Sequence, residues 1–155
     1  MQKKLLLVDA SSSVFRAFFA IPALANSAGV PTNAALGFTT MLQKLLRETR
    51  PDYVVVDWDS PGPKRRKAIY PAYKATRDAT PEELRAQFPW IRRIVDAYRL
   101  AALEYEGEEA DDVIATLARS AERAGMRVEI ASTDKDLMQL VSENVTLVDT
   151  MRDRR

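Results

Sequence analysis

Short, fully apolar runs alternate along this chain with segments whose apolar residues recur every three or four positions. The first run, "KKLLLVDA" at residues 3–10, finishes in Asp9. A continuous apolar run of that length is the pattern of a strand buried on both faces of a parallel sheet. "SSSVFRAFFA" follows, with serines suited to an N-cap and a short helix behind them. "PALANSAGVPTN" is turn-rich and reads as a loop, and residues 33–48 show helical spacing that Pro51 closes. "DYVVVDWD" (52–59) is a second buried strand, again ending in acid. A helix opens at residue 80, with Thr80 as N-cap, Pro81 in the first turn and Glu83 completing a capping box. Pro89 is placed to kink it or to end its first half. "LAALEYE" (100–106) is a third strand, and "EEADDVIATLARSAERAG" a helix stopped by Gly125. "MRVEIAS", "DKDLMQLV" and "NVTLVD" read as strand, short helix and strand. Strands separated by helices predict a mostly parallel sheet of about five strands with helices on both faces.

No internal repeat or low-complexity linker divides the 155 residues, so one domain is expected over 1–155. "TMRDRR" follows the last strand without a closing helix, as in a chain cut at that point. The first apolar run is too short for a signal peptide or membrane span, so a cytoplasmic protein without a membrane partner is expected. Net charge is +1, so only the distribution of charge can speak of partners. Cysteine is absent, which excludes disulfides, thiol catalysis and zinc–thiolate sites. Histidine is absent too, leaving carboxylates, Lys, Arg, Tyr and Ser for any chemistry.

The acids are unevenly placed. Asp9 ends the first strand, Asp57 and Asp59 end the second, Glu109, Asp111 and Asp112 open the helix after the third, and Asp134 and Asp136 follow the fourth. In an open α/β sheet all four junctions lie at the edge where ligands bind. Each has a simpler reading alone. Asp9 or Asp134 is a natural helix N-cap, and "EEADD" complements a helix dipole. Glu104 and Glu106 alternate out of the third strand into solvent. Asp57 and Asp59 share a face, since strands have period two, and could be surface acids. Coincidence at four junctions is harder to explain. Two carboxylates about 5 Å apart repel by roughly 3 kcal/mol at an effective dielectric near 20, so a shared cleft needs a cation. Oxygen ligands without His or Cys suit Mg²⁺ or Mn²⁺, and a surplus of carboxylates suggests the two-ion arrangement used for in-line phosphoryl chemistry.

Residues 60–80 carry six Lys/Arg and one acid, within "SPGPKRRKAIYPAYKATRDAT". Lys64, Arg65 and Arg66 can meet phosphates, and Tyr70 and Tyr73 can stack on bases or sugars. The segment is proline-broken and poor in apolar residues, so it is expected to be loosely held until phosphate arrives. "RAFFA" reads as core, with Arg16 able to face the cleft. A haloacid-dehalogenase phosphatase would need a second aspartate where Ser11 stands, and "DASSSV" lacks the glycines of a P-loop or dinucleotide turn.

Six motifs in order, "LLLVDASS", "PTNAALGFTTML", "VVVDWD", "YPAYKATR", "EGEEADDVIATLA" and "STDKDLMQLV", resemble the N-terminal 5′–3′ exonuclease domain of bacterial DNA polymerase I. That domain belongs to the flap endonuclease family, with a PIN-like nuclease core. The resemblance implies a PIN-like three-layer α/β sandwich. It implies Asp9, Asp59, Glu109, Asp111, Asp112, Asp134 and Asp136 as ligands of two Mg²⁺, with Mn²⁺ as substitute. Asp111 and Asp134 would be central to catalysis, and Tyr73, Lys74 and Arg77 would steer the scissile phosphate of DNA with 5′ ends or flaps. Arg16, Lys64, Arg65 and Arg66 would add to the DNA contact. Two glycines usual in the family are Ala10 and Thr133 here. In the family a helix-hairpin-helix region follows this segment and supplies two further aspartates, and a polymerase can follow in turn. The isolated chain is therefore expected to cleave weakly or not at all. The alternatives are a PIN-type ribonuclease and a non-catalytic metal- and DNA-binding fragment.

Overall fold

The computed structural model describes residues 2–62, 64–71 and 79–149. Strands β1 (Lys4–Asp9), β2 (Tyr53–Trp58), β3 (Ala101–Glu104), β4 (Arg127–Ala131) and β5 (Val145–Val148) form one sheet in the order β3-β2-β1-β4-β5. Every pairing is parallel. Helices α1 (Ala10–Ala20), α2 (Asn33–Thr49), α3 (Arg65–Ile69), α4 (Glu82–Arg85), α5 (Phe88–Ala97) and α6 (Ala110–Arg123) lie between strands, with a 3₁₀ turn at Lys135–Leu140.

The continuous apolar run of β1 is explained by its central position. Leu6 and Val8 face one side and pack with Val14, Phe38, Leu42, Leu45, Leu84, Ile91 and Val95 from α1, α2, α4 and α5. Leu5 and Leu7 face the other side and meet Ile114, Ala118 and Ala121 of α6 with Leu137 and Leu140 of the 3₁₀ turn. The result is the three-layer sandwich the alternation of elements implied. Full burial of a Leu or Val side chain contributes roughly 1.5–3 kcal/mol, so this doubly covered strand anchors the domain.

Three local expectations are corrected. The serines do not cap α1; Asp9 does, its Oδ1 accepting from the Ser12 N–H at 2.9 Å. Thr80 is not an N-cap, because the short helix α4 starts one residue later, with Pro81 at its cap and no side-chain cap bond. The break between α4 and α5 falls at residues 86–87, and Pro89 sits in the first turn of α5, where its missing N–H is harmless. Gly125 does end α6, with a φ of 77°. The basic segment, given no helix by its pattern, begins with α3, while residues 72–78 lie outside the described residues.

At the α1–α2 crossing, a Cβ on Gly37 would come within 2.5 Å of Ile21 Cδ1 and 2.7 Å of Ala17 Cβ. Beside it, buried Gln87 ties α2 to α4 and α5. Its Oε1 accepts from the Ala35 N–H at 3.1 Å, and its Nε2 donates to Asn33 Oδ1 at 2.9 Å and to the Glu83 carbonyl at 3.1 Å. These contacts fix the layer that supports β1 and β2 from one side. Among the described residues no helix is long and apolar enough to cross a membrane.

Candidate metal centre

The strand order places the chain's change of direction beside β1. Connections run outward from β1 to β2 and β3, then return to the other side with β4 and β5. A crevice opens beyond the carboxyl ends of the strands at such a switch point. Asp9 ends β1 there, and Ser132, Thr133 and Asp134 leave β4 next to it. The Ser132 hydroxyl donates to Asp9 Oδ2 at 2.7 Å. The Ser12 and Thr133 hydroxyls lie 2.9 Å apart, and the Asp134 N–H reaches Ser132 Oγ at 3.1 Å.

Capping and clustering prove compatible. Asp134 Oδ1 accepts from the Asp136 N–H at 2.9 Å, starting the 3₁₀ turn. Asp59 Oδ1 accepts from the Ala110 N–H at 3.0 Å, so β2 caps the first turn of α6. Glu109 occupies the N-cap position of that helix and is buried, with Asp111 and Asp112 in the first turn. The helix dipole favours negative charge at this end. Local backbone needs thus hold one end of several carboxylates and leave their charge directed at the crevice.

The carboxylates disturb one another. Burial raises the pKa of Asp9, partly opposed by hydrogen bonds from Ser12 and Ser132, with further raising by the charges of Asp59 and Asp134. Asp111 is pushed up to about 7, by burial first and then by the charges of Asp9 and Asp134 and a hydrogen bond shared with Asp134. Asp57 is likewise pushed up to about 7, by burial and then by Asp9, Asp59 and Asp111. Among the described residues, no Lys or Arg forms an ion pair with Asp9, Asp57, Asp111 or Asp134.

Cations serve the rim instead. Lys64 Nζ donates to the Ser60 carbonyl at 2.7 Å and the Glu108 carbonyl at 2.9 Å, and lies 3.7 Å from Asp59 Oδ1. It ties the β2 and β3 loops together. Arg66 pairs with Asp112 and, at 3.4 Å, with Glu109. Arg65 reaches Glu108 at 3.6 Å and is largely exposed. Arg16 pairs with Asp149 at 3.1 Å, beside a hollow of about 470 Å³ that Ser132, Thr133, Asp134 and Lys135 also line. Arg16 therefore stands next to the crevice. Tyr73, Lys74 and Arg77 lie outside the described residues.

Asp9, Asp59, Asp111 and Asp134 thus come from four junctions to one edge, Glu109 and Asp112 stand beside them on α6, and Asp136 is exposed at the start of the 3₁₀ turn. The set fits a hard divalent cation: all donors are oxygen, and burial, followed by the neighbouring carboxylates, has pushed the pKa of Asp57 and Asp111 up to about 7. Among the described residues no three carboxylates already converge on one point, so side chains would close around an ion as it binds. Sequence reasoning counted Asp57 among the strand-end acids but left it out of the ligand set, and it missed Ser132; Asp57 is fully buried, and Ser132 holds Asp9. The signal for Asp57 was its parity with Asp59. Nothing local marked Ser132, whose role depends on β4 lying beside β1.

The all-parallel sheet, covered by helices on both faces and with acids around its switch point, defines a three-layer α/β domain. The chain belongs to the 5′-3′ exonuclease family, whose N-terminal, resolvase-like domain matches residues 4–155. It is 47% identical over 151 residues to a 5′-3′ exonuclease of Aquifex aeolicus (strain VF5), covering 97% of this chain and 52% of that protein. It is 48% identical over 147 residues to DNA polymerase I of Bacillus caldotenax, covering 95% of this chain and 17% of the polymerase. The chain therefore spans about half, or less, of the relatives it matches. Among solved structures, the T5 5′-exonuclease with divalent zinc ions bound superposes with a TM-score of 0.75. Identity there is 23%, over 98% of this chain and 57% of that one, which establishes the shared fold.

Proposed function

We propose that this chain is the metal-binding core of a divalent-metal-dependent 5′–3′ exonuclease and structure-specific 5′-flap endonuclease acting on DNA. The observation that carries the reading is the meeting of Asp9, Asp59, Asp111 and Asp134 at one sheet edge, where burial and then the neighbouring carboxylates push the pKa of Asp111 up to about 7. A carboxylate cluster so placed is completed by divalent cations, and Mg²⁺ is the ion its all-oxygen chemistry suits, with Mn²⁺ as substitute. When bound, such ions supply a water acidic enough to attack at neutral pH and positive charge against the phosphate oxygens.

The chain's own residues do the rest. Ser132 and the Ser12 N–H hold Asp9 in one orientation, so it presents a fixed carboxylate to the crevice. Asp111 and Asp134, within hydrogen-bond reach of each other, would hold an ion together with Asp9, Asp59, Glu109, Asp112 and Asp136. Arg66 neutralises Glu109 and Asp112, limiting the charge that must be met by metal. Arg16, Lys64, Arg65 and Arg66 stand at the rim of the crevice and are assigned to the phosphate backbone, and Lys74 and Arg77 to the scissile phosphate. DNA is thus the proposed partner, and full turnover is proposed for a protein of the relatives' greater length.

The test uses a 5′-labelled flap DNA and an RNA strand of the same sequence, incubated in Mg²⁺ or Mn²⁺. Slow release of short DNA products, stopped by chelator and by Asp111→Asn with Asp134→Asn, is expected. The same double variant should raise the metal-free melting temperature and remove most of the Mg²⁺-induced increase. Cleavage of RNA in preference to DNA, or cleavage indifferent to the double variant, would defeat the reading.

A further inference from the structure

Asp57 is the one acid of the cluster that neither the motif resemblance nor any capping role explains. Its side chain is fully buried, and neither carboxylate oxygen completes a well-formed hydrogen bond, the adjacent Trp58 N–H only partly opposing the effect of burial. It is paired in register with Asp9 across the β1–β2 ladder, and strand parity puts it on the face of Asp59, about 7 Å deeper along β2. Its neighbours are committed elsewhere: Asp9 uses both oxygens on Ser12 and Ser132, and Asp59 caps Ala110. Burying a carboxyl without hydrogen bonds costs several kcal/mol, and the adjacent Val55 shows that an apolar side chain packs on this face. Something must compensate Asp57 in the working state.

We propose that Asp57 is a further carboxylate of the metal centre, lying beside Asp9 and deeper than Asp59, and accepting hydrogen bonds from the hydration shell of a divalent ion held there. This rests on the divalent-metal reading of the preceding subsection and adds a residue to it. Mg²⁺ keeps several waters when protein-bound, and each water hydrogen needs an acceptor. Such outer partners orient the inner ligands, and their loss typically weakens metal binding about 10- to 100-fold. Asp57 suits this position: two carboxylate oxygens without a well-formed hydrogen bond, and fixed placement on a strand paired with β1.

The experiment is Mn²⁺ binding to the whole 155-residue chain, by titration calorimetry and electron paramagnetic resonance, in the wild type, Asp57→Asn and Asp57→Val. Circular dichroism and urea unfolding establish that each variant is folded, and Asp57→Asn is expected to be at least as stable as wild type without metal. Asn keeps one acceptor oxygen and Val keeps none. Affinity should therefore fall about 10-fold in Asn and toward 100-fold in Val, with a changed Mn²⁺ resonance line shape in both. Wild-type affinity and line shape in Asp57→Asn would overturn the proposal while leaving the metal centre intact. Equal losses in Asn and Val would also overturn it, by reducing Asp57 to a distant charge. A wild-type chain that takes up no Mn²⁺ at millimolar concentration would remove the metal centre itself, and Asp57's role with it.

Discussion

The Ser132 hydroxyl donates a 2.7 Å hydrogen bond to Asp9 Oδ2, joining residues 123 positions apart across the β1–β4 boundary. Both partners are buried, so the bond is made where water cannot replace it. A hydrogen bond to a charged group is worth about 1.5–3 kcal/mol, and removing its donor leaves the acceptor desolvated. Ser132→Ala is expected to lower stability near pH 7.5 by about 1–3 kcal/mol, read by urea unfolding. It should also weaken Mg²⁺ binding, because Asp9 loses its fixed orientation. A variant with unchanged metal affinity would show that Asp9 needs no such support.

Acid should stabilise the metal-free chain over part of the range. Asp57 and Asp111 have pKa values pushed up to about 7 from an ordinary 3.8, so the folded state binds more protons than the unfolded state between those values. Stability therefore falls as pH rises through that window and grows as pH drops from about 8 to about 5. Asp52 and Glu122, whose pKa values are lowered by hydrogen bonds to Lys3 and Ser142 respectively, reverse the trend at lower pH. Saturating Mg²⁺ should flatten or invert the slope, since it binds the deprotonated groups. Thermal unfolding from pH 5 to 8 with and without Mg²⁺ checks this, and a metal-free midpoint that climbs with pH would contradict it.

Arg66 would compete with a bound metal for the acidic edge. It is about half-exposed, so its pair with Asp112 is screened by water, and its contact with buried Glu109 is long at 3.4 Å; together they contribute little to stability. Arg66→Ala should change unfolding free energy by under about 1 kcal/mol. Removing a nearby positive charge should tighten Mg²⁺ binding several-fold by Coulomb's law alone. Calorimetric titration at low and high salt separates the two effects; weaker Mg²⁺ binding in the variant would mean that Arg66 organises the acids instead.

Gln87 supports the site from behind the sheet. Replacing it with Met keeps the volume but removes the acceptor for the Ala35 N–H and the donor to Asn33 Oδ1. Each buried group left unpaired costs about 1–3 kcal/mol, so Gln87→Met is expected to destabilise by about 2–5 kcal/mol in urea. Loss of less than 1 kcal/mol would place water in that network.

Much of this architecture was legible from local pattern, because burial on both faces imposes it directly. Leu5, Leu6, Leu7 and Val8 had to be a central parallel strand, since only a strand covered on both sides tolerates four consecutive apolar residues. Acids at the ends of successive strands had to meet at one edge, since parallel strands all point their carboxyl ends the same way. The motifs that identify the family are likewise local runs. Local pattern was weakest at α4, where Thr80 and Glu83 matched a capping box but the chain took its first turn from Pro81.

What the linear order could not decide was which strands are neighbours. The β1–β4 pairing brings Ser132 to Asp9, and the β1–β2 register sets Asp57 against Asp9 in the interior. The pairing of Arg66 with Glu109 and Asp112 was likewise not legible in sequence, because it depends on α3 packing beside the first turn of α6. Charge at a given position depends on the dielectric and the partners around it, and those are set by contacts between residues from 43 to 123 positions apart. The sequence by itself determined the layers, the acidic edge and the family. Only the tertiary structure decided which carboxylates are buried, which are held, and which are left for a metal ion.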